Sequence, residues 1–375
     1  MHDDQLHEQF TRWAQPLRAA RPPALPVLRR HARRRTARKA ALSGLAVMGT
    51  VAAIALSGFP WAGHAPSEAV TARGVPAYAV VLEHSSGGQA ASVLDMVTGR
   101  VPGRVATPIA RSDFEWVAAA ADDRTFVLAD QSQALVTRFY LLHLAASGKP
   151  GQLTRLDVPP LRAAQIYGMA LTPDASKLAV AWQNNPTGPV SGHIGVTTLA
   201  TGATHTWTSA SGGADTVSWA GDRTLAFEWQ DTARDARSGV RLLDTAAGGT
   251  SPLASRLLIP ASTRTSTLSS PGDPLITQDG SSLFASMAAG VSGNETAIVR
   301  FSARTGKLQA VLIQPAQSGQ SQWYCGVLWT DPSGRHLLTQ CGTTQASREG
   351  NRYTRIHLHQ LIPASPVGFA NTFAW

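Results

Sequence analysis

A chain of 375 residues with a formal net charge of +9 can hold two average domains or one repeat array. Its charge sits almost entirely at one end. Residues 1–40 carry ten Arg or Lys (Arg12, Arg18, Arg21, Arg29, Arg30, Arg33, Arg34, Arg35, Arg38 and Lys39) against Asp3, Asp4 and Glu8, which accounts for +7 of the +9. The remainder is close to neutral, which excludes a basic nucleic-acid-binding surface spread over the whole protein.

The first 18 residues read as a short amphipathic helix, because Leu6, Phe10, Trp13 and Leu17 recur at i, i+4, i+7 and i+11 on one face. Pro16 ends it, and Arg21-Pro-Pro-Ala-Leu-Pro26 continues as an extended linker. Two uses fit that face. It lies on an anionic inner leaflet beside the basic cluster, or Leu6, Phe10 and Trp13 form a docking face for a cytosolic protein.

Ala40 to Ser67 contains no Asp, Glu, Lys or Arg. Its first twenty residues, AALSGLAVMGTVAAIALSGF, are long enough to span a hydrocarbon core of about 30 Å. An arginine cluster abuts one end and Pro60-Trp61 the other. The expected organisation is therefore a cytoplasmic tail (1–39), a transmembrane helix (40–61), a small-residue linker (62–76) and an extracytoplasmic domain (77–375), oriented by the positive-inside rule. A cleaved signal peptide is the competing reading, since Gly63-His-Ala65 offers small residues where a peptidase would read them. Pro66 just after that cut and the long basic tail argue against it, and Arg34-Arg35 in an arginine run is a weak twin-arginine signal.

From Ala77 onward the pattern is all strand. A phrase of apolar run, Asp-containing turn and apolar run recurs roughly every fifty residues. It reads WVAAAADDRTFVL from Trp116, MALTPDASKLAV from Met169, VSWAGDRTLAF from Val217, LITQDGSSLF from Leu275 and VLWTDPSGRHLL from Val327. Each pair of runs is followed by a third segment, such as Val240 to Gly248 or Ala297 to Gly306, that ends at a Gly turn. Six such segments predict six units of three to four strands. Radial repetition of small sheets is the β-propeller solution to unpaired sheet edges, so the expected fold class is all-β, a six-bladed propeller preceded by one transmembrane helix. Seven blades would require a degenerate unit within 255–275. The last residues, Pro366 to Trp375, are expected to supply the strand that closes the ring.

Thr172-Pro-Asp-Ala-Ser-Lys-Leu-Ala-Val and Thr277-Gln-Asp-Gly-Ser-Ser-Leu-Phe resemble the signature of TolB-like, WD40-like propeller repeats. The resemblance implies a propeller fold but not one activity, because such propellers serve as binding platforms, scaffolds and enzyme domains. Gly221-Asp-Arg-Thr and Asp331-Pro-Ser-Gly depart from it and predict turns of different geometry. The N-terminus also resembles that of membrane-anchored actinobacterial proteins, some of them encoded beside extracytoplasmic sigma factors. That likeness implies a tail able to dock such a factor.

Cys325 and Cys341 are the two cysteines and straddle the fifth Asp turn. In a regular hairpin they face each other across the strands, at about 4.5–5.5 Å between Cβ atoms, within reach of a structural disulfide. The repeated turn aspartates Asp122, Asp174, Asp222, Asp279 and Asp331 invite a calcium reading, but Asp in such turns ordinarily bonds its own backbone. His357 and His359 share a strand face without a third ligand. Trp116, Trp182, Trp219, Trp229, Trp323 and Trp329 are expected between blades, and Trp207 is a candidate to line a carbohydrate or peptide site.

The sequence holds no Gly-x-Ser-x-Gly elbow, His-Glu-x-x-His, P-loop or dinucleotide glycine fingerprint, and no catalytic residue, metal ligand or cofactor is implied. The expected function is a membrane-anchored extracytoplasmic module that binds a protein or small ligand without catalysis. The alternatives are a signal-sensing regulator acting through its tail, and an enzyme whose site is assembled from several blades in the channel.

Overall fold

The computed structural model describes residues 76–375 except 84–89, 97, 185–190, 232–234, 266–267, 290–294, 314–322, 331–335, 344–351, 358–359, 364–369 and 375. The segments at Leu6, Phe10 and Trp13 and at 40–61 lie outside the described residues. Among the described residues no helix is long and apolar enough to cross a membrane.

The described residues build six antiparallel sheets in chain order. The first contains β1 (Tyr78–Glu83), β2 (Ala90–Asp95) and β3 (Gly103–Ala106). The second contains β4 (Ser112–Ala119), β5 (Thr125–Ser132), β6 (Val136–His143), β7 (Thr154–Arg155) and β8 (Leu161–Arg162). The third is β9 (Ala164–Leu171), β10 (Lys177–Asn184), β11 (Gly192–Thr198) and β12 (Thr204–Ser209). In the fourth, β13 (Gly213–Ala220), β14 (Thr224–Gln230) and β15 (Gly239–Asp244) are followed by β16 (Arg256–Pro260). The fifth is β17 (Leu268–Ile276), β18 (Ser282–Ala289), β19 (Glu295–Ser302) and β20 (Leu308–Ile313). The sixth is β21 (Trp323–Thr330), β22 (His336–Thr343), β23 (Arg352–His357) and β24 (Gln360–Pro363). The chain then returns, and β25 (Ala370–Ala374) pairs antiparallel with β1 to complete the first sheet.

Contacts between sheets run through the innermost strands in one cycle: β4 on β9, β9 on β13, β13 on β17, β17 on β21, β21 on β25 and β25 on β4. This closed cycle is a β-propeller. Six sheets match the six expected repeat units, and the described residues of 255–275 hold no extra one: they are shared by β16 and the start of β17. The third segments of the repeat are not the outermost strands, however. A fourth strand lies outside each of them, and some of these, such as GRVA in β3 or THTWTS in β12, carry too little apolar pattern to announce themselves.

Five of the six seams have their own buried cluster among the described residues. Val80, Leu82, Phe114, Phe126 and Leu128 fill the first seam. Val127, Ala129, Phe139, Ile166, Met169 and Leu178 fill the second. Trp207, Trp219, Phe227 and Trp229 dominate the third, Leu283, Val299 and Phe301 the fourth, and Phe284, Ile298 and Leu337 the fifth. The middle strands therefore bury both faces. In β5, Val127 and Ala129 point to one seam and Phe126 and Leu128 to the other. The continuous apolar runs that frame the Asp turns follow from this, because a strand covered on both sides needs no polar face.

The turns themselves form two matched copies. In Thr172 to Lys177 and Thr277 to Ser282 the Thr hydroxyl accepts the N–H five residues on, at 2.9 and 3.1 Å. The aspartate accepts the N–H two residues on, at 3.0 Å for Asp174 and 2.9 Å for Asp279. The residue after the aspartate is left-handed: Ala175 at φ 58°, Gly280 at φ 67° and, in the second sheet, Asp123 at φ 57°. Asp122 likewise accepts from the N–H groups of Arg124 and Thr125. The predicted departure at Asp222 is real. There Gly221, the residue before the aspartate rather than after it, is left-handed at φ 60°. Asp222 accepts from Lys177 of the third sheet instead, through its carbonyl at 2.7 Å with its carboxylate 3.7 Å from the same ammonium. Asp331 lies outside the described residues.

Two expectations follow. A Cβ at residue 280 would meet only the Ala220 methyl, at an ordinary 3.6 Å, so Gly280→Ala isolates the backbone cost. It should lower stability by about 1 kcal/mol in denaturant titrations. Truncation before Ala370 removes the three paired positions between β25 and β1. At about 1 kcal/mol per backbone hydrogen bond this should cost about 3 kcal/mol and broaden the thermal transition seen by circular dichroism.

Candidate functional site

The Asp turns define one end of the ring, so the opposite ends of the same hairpins define the other. There the register places polar residues directly across from one another: Asp113 with Gln131, Gln165 with Gln183, and Asp215 with Glu228. The equivalent position in the fifth sheet brings Asp273 of β17 beside Ser286 of β18, whose hydroxyl donates to the Asp273 carboxylate at 2.9 Å. Each innermost strand is also bulged against its neighbour near this region, for example between Phe114 and Trp116 and between Asp215 and Val217. Bulges bend the strand and re-aim the residues beside them. Thr216, Ser270 and Asp273 consequently have positive φ values of 39°, 50° and 49°.

These polar side chains hold one sheet to the next. The Gln131 amide donates to the Ala164 carbonyl at 3.4 Å. Gln183 lies over Gly213, in space that any larger residue there would occupy. Glu228 Oε2 accepts the Asp273 N–H at 3.1 Å, and the Gln230 amide donates to both Asp215 and Glu228 at 3.2 Å. Second-strand residues of three consecutive sheets thus reach the innermost strand that follows.

The electrostatic consequence is concentrated where the fourth sheet meets the fifth. Burial pushes the Glu228 carboxyl up to about 7, and the charges of Asp273 and Asp215 add to the rise. Burial and Asp273 raise Asp215 as well. Elsewhere, burial pushes Asp123 up to about 6 although it accepts the Ala77 N–H at 2.8 Å. Asp130 is fully buried with neither carboxylate oxygen hydrogen-bonded, and burial raises it too. The neighbouring Ser112 hydroxyl donates to Ile109 at 2.7 Å instead.

Asp122, Asp174 and Asp279 spend their carboxylates on their own turns, and among the described residues no group of three or more His, Cys, Asp or Glu is arranged to hold a metal ion. Trp207 corrects the expectation of a ligand-lining aromatic. It is 1% exposed, with its ring edge-on to His205 at 4.2 Å, because β12 turns that face into the seam with the fourth sheet. Trp219 and Trp229 are buried between sheets as expected, and Trp182 is half-buried and stacks on His193 at 5.1 Å. Cys325 and Cys341 are directly opposed in the register of β21 and β22. His359 lies outside the described residues.

Sequence inspection passed over Glu228, Asp215 and Asp273. Their one visible trace is a polar residue nine positions after the turn aspartate, Gln131 after Asp122 and Gln183 after Asp174, and the shifted turn at Gly221 breaks that offset where the carboxylates sit.

No sequence family matches the chain, and no curated protein matches it in sequence. Solved structures do. TolB from Acinetobacter baumannii is 12% identical with a TM-score of 0.52, over 80% of this chain and 66% of TolB. An oligogalacturonate lyase in complex with manganese is 14% identical with a TM-score of 0.51, over 78% and 74% of the two chains. The periplasmic gluconolactonase of Pseudomonas aeruginosa is 17% identical, over 78% and 82%, with a TM-score of 0.49. The fold is a TolB-like β-propeller. This chain spans just under two thirds of the TolB chain.

Glu228 gives a test of the seam. A carboxyl whose folded pKa is raised above its unfolded value favours folding while protonated. Its contribution is complete below about pH 4.5 and is lost as the pH rises to about 7. Glu228→Gln keeps the acceptor for Asp273 and removes that loss. The variant should be more stable than the parent by about 1–2 kcal/mol at pH 8 and equal to it near pH 4, read as paired urea midpoints across the pH range.

Proposed function

We propose that this chain is a single-pass membrane protein that holds a β-propeller outside the cytoplasm as a binding module for a protein or small ligand. The observation that carries the binding reading is the row of polar cross-strand pairs at one end of the ring. Asp113 with Gln131, Gln165 with Gln183 and Asp215 with Glu228 put hydrogen-bonding groups from successive sheets at a common level. A closed propeller concentrates such groups around its axis without further structure. Fold alone does not choose between binding and catalysis, since a lyase, a gluconolactonase and TolB share it. The sequence lacks the local catalytic motifs, and that favours binding.

The outside location rests on the charge-flanked apolar segment 40–61, with the tail 1–39 in the cytoplasm. The opposed Cys325 and Cys341 support it, because the register suits a disulfide and such bonds persist in oxidising compartments. As a clamp on a hairpin of about 15 residues the bond would contribute roughly 3 kcal/mol.

Lysine labelling tests the topology directly, because the chain has four lysines: Lys39 in the tail and Lys149, Lys177 and Lys307 in the propeller. A membrane-impermeant amine reagent on intact cells should modify the exposed Lys149 and Lys307 and leave Lys39 unmodified, read by peptide mass spectrometry. Lys39 labelled with Lys149 and Lys307 protected would overturn the orientation. The binding reading is tested by Gln165→Ala, at an exposed position, which should lower capture of the physiological ligand at least tenfold while leaving the melting temperature within a few degrees.

A further inference from the structure

At the Asp-turn end of the ring, away from the polar pairs, a cleft of about 390 Å³ opens between the fourth and fifth sheets. That volume falls in the range of small-molecule sites. Its floor is apolar. Ala220 and Leu242 lie half-buried on the large cluster that fills this seam, and Ile276 and Ala303 continue the surface.

Its rim is cationic, and the charge is available. The Arg256 guanidinium is fixed across the seam by two hydrogen bonds, to the carbonyls of Arg304 and Ala303, both at 2.8 Å. Two bonds leave three of the five guanidinium N–H donors unspent. Arg304 is exposed, and its side chain has no partner among the described residues. The carboxylates nearby are already committed. Asp244 on the rim is held by Arg223 through two bonds of 2.7 and 2.8 Å, which neutralise it. Asp279 accepts from the Thr277 hydroxyl and the Ser281 N–H, and Asp222 lies against Lys177. Fixing one guanidinium in advance lowers the entropy cost of binding, and planar N–H pairs match a carboxylate.

We infer that this cleft binds a small carboxylic acid, its carboxylate on Arg256 and Arg304 and its apolar body on Leu242 and Ile276. The probes are benzoate and its neutral isostere benzamide, titrated into the full-length chain carrying labelled Ile and Leu methyl groups. Benzoate should shift the Leu242 and Ile276 methyl resonances and bind more tightly than benzamide. Arg304→Glu should weaken benzoate by about tenfold or more, a loss of about 1.4 kcal/mol, and Arg304→Lys should retain most of the affinity. Both substitutions are at an exposed turn, so an unchanged melting temperature separates lost binding from lost fold. Equal affinity for benzamide, perturbation of methyls elsewhere, unchanged binding in Arg304→Glu, or no binding at millimolar benzoate would each overturn the inference. None of these outcomes bears on the polar end of the ring.

Discussion

Six sheets that touch only their neighbours make a ring only if the last gap closes, and here one antiparallel pairing, β25 against β1, closes it. In a repeat array the stability is a sum of units and seams, so an open array would leave two exposed faces where a ring leaves none. The pairing joins the two ends of the described chain, which turns a set of local hairpins into one cooperative object. It also removes the free inner edge that β1 would otherwise present to another chain. Everything that depends on geometry across several sheets, including the polar end of the ring, depends on that closure.

The two ends of the ring are built by different physics. At the Asp-turn end Asp122, Asp174 and Asp279 are consumed within their own turns, as with Asp122 and its two N–H partners, while Asp123 and Asp222 reach a neighbouring sheet. At the other end the polar groups look outward to the next sheet, as Gln131 does to Ala164 and Glu228 to Asp273. Bonds of the first kind form with local contacts, and bonds of the second kind require neighbouring sheets to be in place. The groups that bridge sheets are therefore the ones whose protonation registers assembly.

The hairpins were legible because their apolar runs are continuous and their turns carry Asp, and both follow from strands buried on two faces. The closing strand was legible from the missing first strand of the opening unit. The outer strands were not, since THTWTS in β12 buries only alternate residues, Trp207 and Ser209, at an edge. Trp207 was misplaced at the same edge, because proximity to a loop suggested a surface while the pleat turned it inward. The carboxylate group was illegible for a different reason. Asp215, Glu228 and Asp273 belong to three strands, and two of them reach the site through bulges that no periodic reading can place.

Charge is therefore arranged against burial along the seams. Asp123 and Asp130 lie at the junction of the first and second sheets, Asp215 and Glu228 at that of the fourth and fifth, and burial raises all four. Groups of this kind oppose folding as they ionise, so their combined effect weakens the ring between about pH 4 and pH 7. By general physical argument a purely structural seam is more stable with apolar residues at such positions, like the neighbouring buried Phe126 and Phe227. Retaining carboxylates there costs stability while supplying acceptors that cross a seam, as Asp123 does for Ala77 and Glu228 for Asp273.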